Sequence, residues 1–169
     1  MKYFIFIISL VISNLSYSYE NNQLLLHNPA KKINFFDLET LDGKKVEVAE
    51  KLVKTKLILV NFWATWCPPC IKEIPDLLNL KKRFEKDIEI IFVSVDANPT
   101  KVIPKFLKKN ELEDFQTYID KKLNLTKELE VKVMPTTLII TEGPYELSRV
   151  EGYIDWLNKE LLTELEKLL

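Results

Sequence analysis

Leu57-Ile58-Leu59-Val60-Asn61-Phe62-Trp63 is a nearly continuous apolar run, and it stops just short of the pair Cys67-Pro68-Pro69-Cys70. A half-exposed strand alternates apolar and polar residues, whereas a run this short and this apolar reads as a strand covered on both faces, central in a sheet. Beyond it, Ile71, Ile74, Leu77, Leu78, Leu80 and Phe84 recur at helical spacing, so 68–86 reads as a helix with prolines tolerated in its first turn. Pro75 lies inside that helix and is expected to kink it. A buried strand that turns straight into a helix demands a second layer on the sheet, so the chain reads as α/β.

The remaining pattern extends the alternation. Ile33 to Leu38, broken at Leu41-Asp42-Gly43-Lys44 and resumed at Val46 and Val48, reads as a hairpin turned by Asp-Gly. A short helix is expected over 49–54. Ile88 to Val95 reads as a second buried strand, Pro99 through Leu107 as a helix, Gln116 to Ile119 as a short strand, and 124–131 as a helical turn or two. Thr136 to Thr141 and Tyr145 to Val150 form an expected hairpin around Glu142-Gly143-Pro144. Ile154, Leu157, Leu161, Leu165 and Leu168 give a last amphipathic helix that packs on the sheet. No internal repeat or second-domain linker interrupts this order, and 33–169 is expected to be one domain.

The N-terminus reads differently. Met1-Lys2 gives a positive start, Tyr3 to Ile12 is apolar except for Ser9, and Ser16-Tyr17-Ser18 is small-large-small, so 1–18 reads as a signal peptide. Retention as a membrane anchor is the competing reading, but the apolar run is shorter than the ~20 residues that span a bilayer. Either way the remainder is expected outside the cytoplasm, in the periplasm, soluble or held by its N-terminus. The polar stretch 19–32 reads as a linker.

The cysteines carry the chemistry. Only Cys67 and Cys70 are present, which excludes a disulfide-stapled scaffold and a four-cysteine metal site. Zinc lacks its other ligands, because His27 is the sole histidine and lies in the N-terminal stretch. Covalent haem attachment requires histidine where Ile71 stands. A structural bridge closing so short a loop stabilises little. At a helix N-terminus, by contrast, unpaired N–H groups and the positive dipole end favour an anion, so Cys67 is expected to be the nucleophilic thiolate, open to solvent. Cys70, one turn deeper, is expected to be the resolving thiol. Lys+Arg at 24 nearly balances Asp+Glu at 25, so no strong field draws the chain to nucleic acid.

Val60 through Cys70, then Glu73-Ile74-Pro75, then Met134-Pro135-Thr136-Thr137 together resemble the exported thioredoxin-like proteins of the TlpA/ResA type. The resemblance runs from about Ile33 to the end of the chain. It implies a thioredoxin fold, a central mixed sheet flanked by helices, with an added N-terminal hairpin. It also implies that Pro135 is a cis proline facing the cysteines, and that the Met134 backbone pairs with an extended substrate segment. Where cytoplasmic thioredoxin carries a buried aspartate this chain has Asn61, which takes no proton. Glu73, three residues after Cys70 on the same helical face and matching a glutamate of the family, is the expected proton acceptor. Trp63 and Trp66 are expected to shield the disulfide, with Trp66 part of a docking surface.

Pro68 and Pro69 bring neither charge nor a backbone N–H to the thiolate. The pair is therefore expected near the reducing end of known potentials, about −200 to −270 mV, rather than near the strongly oxidising about −120 mV. The family reading implies a thiol-disulfide oxidoreductase that needs no metal or organic cofactor. Its clients would be exported proteins such as apocytochrome c before haem attachment, and a membrane thiol relay would recharge it. The turn Thr141-Glu142-Gly143-Pro144-Tyr145 departs from the family's Asp-x-x-Gly. Two other readings compete. A peroxiredoxin-like peroxide reductase shares the hairpin and strand order, but wants threonine or serine where Ala64 stands. A non-catalytic client-binding or chaperone module would use the groove beside Met134-Pro135 and leave the cysteines incidental.

Overall fold

A computed structural model describes residues 24–169 apart from 53 and 113. The expected signal peptide and the first part of the expected linker lie outside the described residues. In chain order the elements are β1 (Leu26–Lys32), β2 (Asp37–Glu39), β3 (Lys45–Glu47), α1 (Ala49–Leu52), β4 (Leu57–Trp63), α2 (Pro68–Arg83) and β5 (Ile88–Ser94). There follow α3 (Pro99–Lys109), β6 (Tyr118–Ile119), α4 (Asn124–Glu128), β7 (Thr136–Thr141), β8 (Tyr145–Glu151) and α5 (Lys159–Lys167). The strands form one sheet in the order β1-β8-β7-β4-β5-β6-β2-β3. β4, β5 and β6 are mutually parallel, and β7, β8, β1 and the β2–β3 hairpin join antiparallel, so the sheet is mixed as expected.

β4 is central and buried along its whole length, because both of its faces carry a core. Successive side chains on a strand point to opposite faces. Leu57, Leu59 and Trp63 of β4, with Ile88, Ile90 and Phe92 of β5, meet Ile74, Leu77 and Leu80 of α2 and Leu161, Leu162 and Leu165 of α5. Ile58, Val60 and Phe62, with Ile91, Val93, Leu138 and Ile140, fill the other face with Leu125 and Leu129 from α4 and the residue that follows it. The helix after the cysteines is thereby held against the odd-numbered face of β4, and that decides which residues its first turn can touch.

Three expectations are corrected. The stretch 19–32 is not linker to its end, because its last seven residues form β1, antiparallel to β8. The N-terminal hairpin is present, pairing Asp37 with Glu47 and Glu39 with Lys45, but its first strand starts at Asp37 rather than Ile33. Ile33 and Phe36 are instead buried in the second core. The last helix starts at Lys159, not near Ile154. The Asn158 side chain accepts the Glu160 and Leu161 N–H groups and so sets the N-cap, while Asp155 accepts the Leu157 N–H in a turn before it. α2 runs through Pro75 as one element. Among the described residues no helix is long and apolar enough to cross a membrane.

Candidate active site

The corner between β4 and α2 is pinned before the cysteines are reached. Asp96, buried just beyond β5, accepts the Thr65 backbone N–H at 3.0 Å, the Thr65 hydroxyl at 2.8 Å and the Ser94 hydroxyl at 2.8 Å. The chain then turns, with the Cys67 N–H donating to the Ala64 carbonyl at 3.1 Å. Cys67 is the N-cap of α2, with extended backbone angles of φ −103° and ψ 97°. Helix N-termini leave backbone N–H groups without partners. Here Pro68 and Pro69 occupy the first two positions and have no N–H to offer, so the first donor available is that of Cys70, and it points to Cys67 Sγ at 3.3 Å. The sulfur fills the place usually taken by a serine or aspartate oxygen.

The two cysteines are joined, with an S–S distance of 2.03 Å and Cα atoms 5.3 Å apart. Cys70 is wholly buried and Cys67 is 4% exposed. Both residues are buried, so Cys67 is far less open than the sequence reading expects. Both cysteines belong to the core cluster that includes Ala64 and Ile74, against which Met134 also packs.

One turn of α2 beyond Cys70 lies a polar island in an otherwise apolar face. On the odd-numbered side of β4 and β7, Leu57, Leu59, Trp63 and Ile139 are apolar, but Asn61 and its direct cross-strand partner Thr137 are not. The Asn61 amide nitrogen donates to Thr137 Oγ1 at 2.9 Å and to Glu73 Oε1 at 2.7 Å. The other carboxyl oxygen, Oε2, accepts the indole N–H of Trp156 at 3.1 Å. Glu73 is only 1% exposed. Burial pushes its carboxyl up to about 7; the donors from Asn61 and Trp156 pull it down and the nearby Asp76 charge adds to the rise.

The two tryptophans separate. Trp63 is core: its indole N–H donates to Thr117 Oγ1 at 2.9 Å, and its ring meets Phe106 and Phe115. Trp66, next to Cys67, is 65% exposed. The Met134-Pro135 bond is cis. Pro135 starts the turn into β7, its carbonyl accepting the Gly152 N–H at 2.8 Å, and Gly152 adopts φ +90°, a conformation glycine takes without penalty. Among the described residues neither the N–H nor the carbonyl of Met134 has a hydrogen-bond partner. Asp96 and Trp156 were missed in the sequence. Each is a polar-tipped residue outside the regular elements, and the one available signal was that a buried indole N–H needs a partner. Among the described residues no group of His, Cys, Asp and Glu side chains is arranged to hold a metal ion.

Residues 27–143 match the Redoxin family model. The thiol-disulfide oxidoreductase ResA of Bacillus cereus is 34% identical over 130 residues, covering 70% of this chain and 72% of that protein. Its namesake in Halalkalibacterium halodurans is 31% identical over 141 residues, covering 80% and 77%. Among solved structures, a putative thiol:disulfide interchange protein DsbE from Chlorobium tepidum superposes with a TM-score of 0.70 at 24% identity, covering 86% of this chain and 99% of that one. StoA from Bacillus subtilis superposes with a TM-score of 0.59 at 25% identity, covering 81% and 97%. The helix-capping cysteine pair thus sits on a thioredoxin-like scaffold shared with these proteins, and the chain belongs to the Redoxin family as a ResA-type thiol-disulfide oxidoreductase.

Proposed function

We propose that this chain is an exported dithiol reductant of client-protein disulfides, with Cys67 as the attacking thiol, Cys70 as the resolving thiol and Glu73 as the proton acceptor. The observation that carries the reading is the corner itself. Cys67 caps α2, Cys70 is buried one turn deeper, and the buried carboxyl of Glu73 follows one turn further along the same helix.

In the reduced protein the Cys67 thiolate attacks one sulfur of a client disulfide. A Cys67–client S–S bond forms, the client's own S–S bond breaks, and the departing client thiolate takes a proton from water. Cys70 then yields its proton to the Glu73 carboxylate and attacks Cys67 Sγ. The mixed disulfide breaks, the second client thiolate leaves and takes up the proton now on Glu73, and the Cys67–Cys70 bond present in this structure forms. The client gains two electrons and two protons, and a donor dithiol must supply them again. A membrane thiol relay fits that need for a chain whose first 18 residues read as an export signal.

Trp66, Met134 and Pro135 form the proposed client-binding edge. The exposed indole offers apolar area, and the unpartnered Met134 backbone offers the donor and acceptor that an extended peptide requires. Apocytochrome c, whose cysteines must be reduced before haem attachment, is the proposed client. The test incubates reduced protein with oxidised apocytochrome c and counts client thiols by alkylation. Reduction by the wild type and none by Cys67→Ala is the expected result. A client disulfide that persists while other protein disulfides are reduced removes the client assignment. A redox titration is expected to place the pair at about −200 to −270 mV, since the two prolines contribute no charge to stabilise the thiolate.

A further inference from the structure

The carboxyl of Glu73 is held from two directions, and only one of its partners belongs to the strand beneath it. Asn61 on β4 occupies Oε1, and Trp156 occupies Oε2 from the loop between β8 and α5. Both partners are fully buried. The same loop is tied to the same helical turn a second time, where Lys72 Nζ stands 4.1 Å from the centre of the Tyr153 ring. An indole N–H can only donate, and the Asn61 amide presents its nitrogen to both Glu73 and Thr137, leaving its own carbonyl oxygen buried without a partner among the described residues. An amide turned the other way would face a carboxylate oxygen with oxygen. Two donors converging on one carboxyl select the ionised form and fix its rotamer.

We infer that Trp156 is a positioning residue for disulfide exchange: with Asn61 it orients Glu73 and favours the carboxylate that takes the Cys70 proton. This rests on the proposed role of Glu73 and goes beyond it, because it assigns a function to a loop remote in sequence from the cysteines. The charged groups around this turn of α2 are Asp76 and Lys72 on the helix itself and Asp155 on the loop. None of them is altered by the substitutions below. Trp156 lies in the turn ahead of α5, and the Asn158 cap starts that helix after it.

The test follows the Glu73 side-chain carboxyl directly by carbon NMR across pH in the oxidised, full-length protein, with Glu73→Gln identifying the resonance. Trp156→Phe keeps an aromatic ring and removes the donor. Asn61→Val removes the other donor with a side chain of similar size that suits a strand, and serves if the first variant does not fold. In either variant the Glu73 midpoint is expected to climb by about 1 on the pH scale, the usual effect of one lost charge-assisted hydrogen bond. The ionised share at pH 7 then drops from about one half to about one tenth, and the acid limb of the reductase pH profile moves up with it. A midpoint that stays in place in folded Trp156→Phe, or in Asn61→Val should the first variant not fold, overturns the inference while leaving Glu73 as the proton acceptor. A Glu73→Gln protein that keeps wild-type turnover and pH profile instead overturns the role of Glu73 on which the inference rests.

Discussion

At the scale of single residues, Glu73 is the group whose environment is most at odds with its chemistry. A carboxyl at the bottom of an apolar layer binds its proton more tightly in the folded chain than in the unfolded one, and its midpoint rises from 4.5 to about 7. The sign follows from that difference. The folded state is most favoured by this group below about pH 4.5, loses stability as pH climbs toward 7, and is constant above. The full span corresponds to a loss on the order of 3 kcal/mol. Urea unfolding of the oxidised protein at pH 5 and pH 8 should therefore show the wild type losing stability over that interval, and Glu73→Gln losing much less. Equal slopes for the two proteins would show that the carboxyl is not buried as described. A group held this close to neutrality exchanges its proton readily at physiological pH, which suits the proposed acceptor of the Cys70 proton.

At the scale of elements, the corner between β4 and α2 is held by Asp96 as much as by the helix. Three donors from Thr65 and Ser94 converge on that one carboxylate. Asp96→Ala leaves them without their shared acceptor in a buried place and is expected to cost on the order of 2 kcal/mol in urea unfolding, with a parallel loss of reductase turnover. Asp96→Asn, which keeps an acceptor, should retain part of both. The strands and helices on either side of this corner were readable from apolar periodicity, because β4, β5, β7 and α2 are buried on the faces their sequences mark. The place of the cysteines at a strand-to-helix turn was readable as well. The partners that hold the site were not readable in the same way. Asp96 and Trp156 lie in irregular segments with no period to reveal them, and the partners Thr65 and Glu73 are 31 and 83 residues away in sequence, brought near only by the sheet order. The start of α5 was misplaced because Ile154 and Leu157 continue the apolar stripe, whereas the local capping at Asp155 and Asn158 decides where helical hydrogen bonding begins.

At the scale of the whole molecule, the sheet extends past the cysteine site to β1, and a buried charge cluster secures that edge. Glu146 on β8 accepts Arg149 through both carboxylate oxygens, at 2.7 and 2.9 Å, and lies 3.1 Å from His27 on β1. Arg149 also donates to the Leu129 and Glu130 carbonyls at the end of α4, a few residues before Met134-Pro135. Desolvation pushes the Glu146 carboxyl up, but the hydrogen bonds from Arg149 and His27 outweigh it and hold the group below its ordinary value. Its contribution is thus present above about pH 4.5 and lost as the solution is acidified, opposite in sign to that of Glu73. Removing it with Glu146→Ala strands a partly buried guanidinium and is expected to cost about 3–5 kcal/mol, seen as a lower urea midpoint. The central claim, that one sulfur attacks and the other releases, is tested most directly by trapping. Reduced Cys70→Ala protein mixed with a disulfide-bonded client should accumulate a covalent adduct through Cys67 that a reducing agent dissolves, and Cys67→Ala should accumulate none. An adduct that forms equally well through Cys70 in the Cys67→Ala protein, or no adduct in either, would contradict the account.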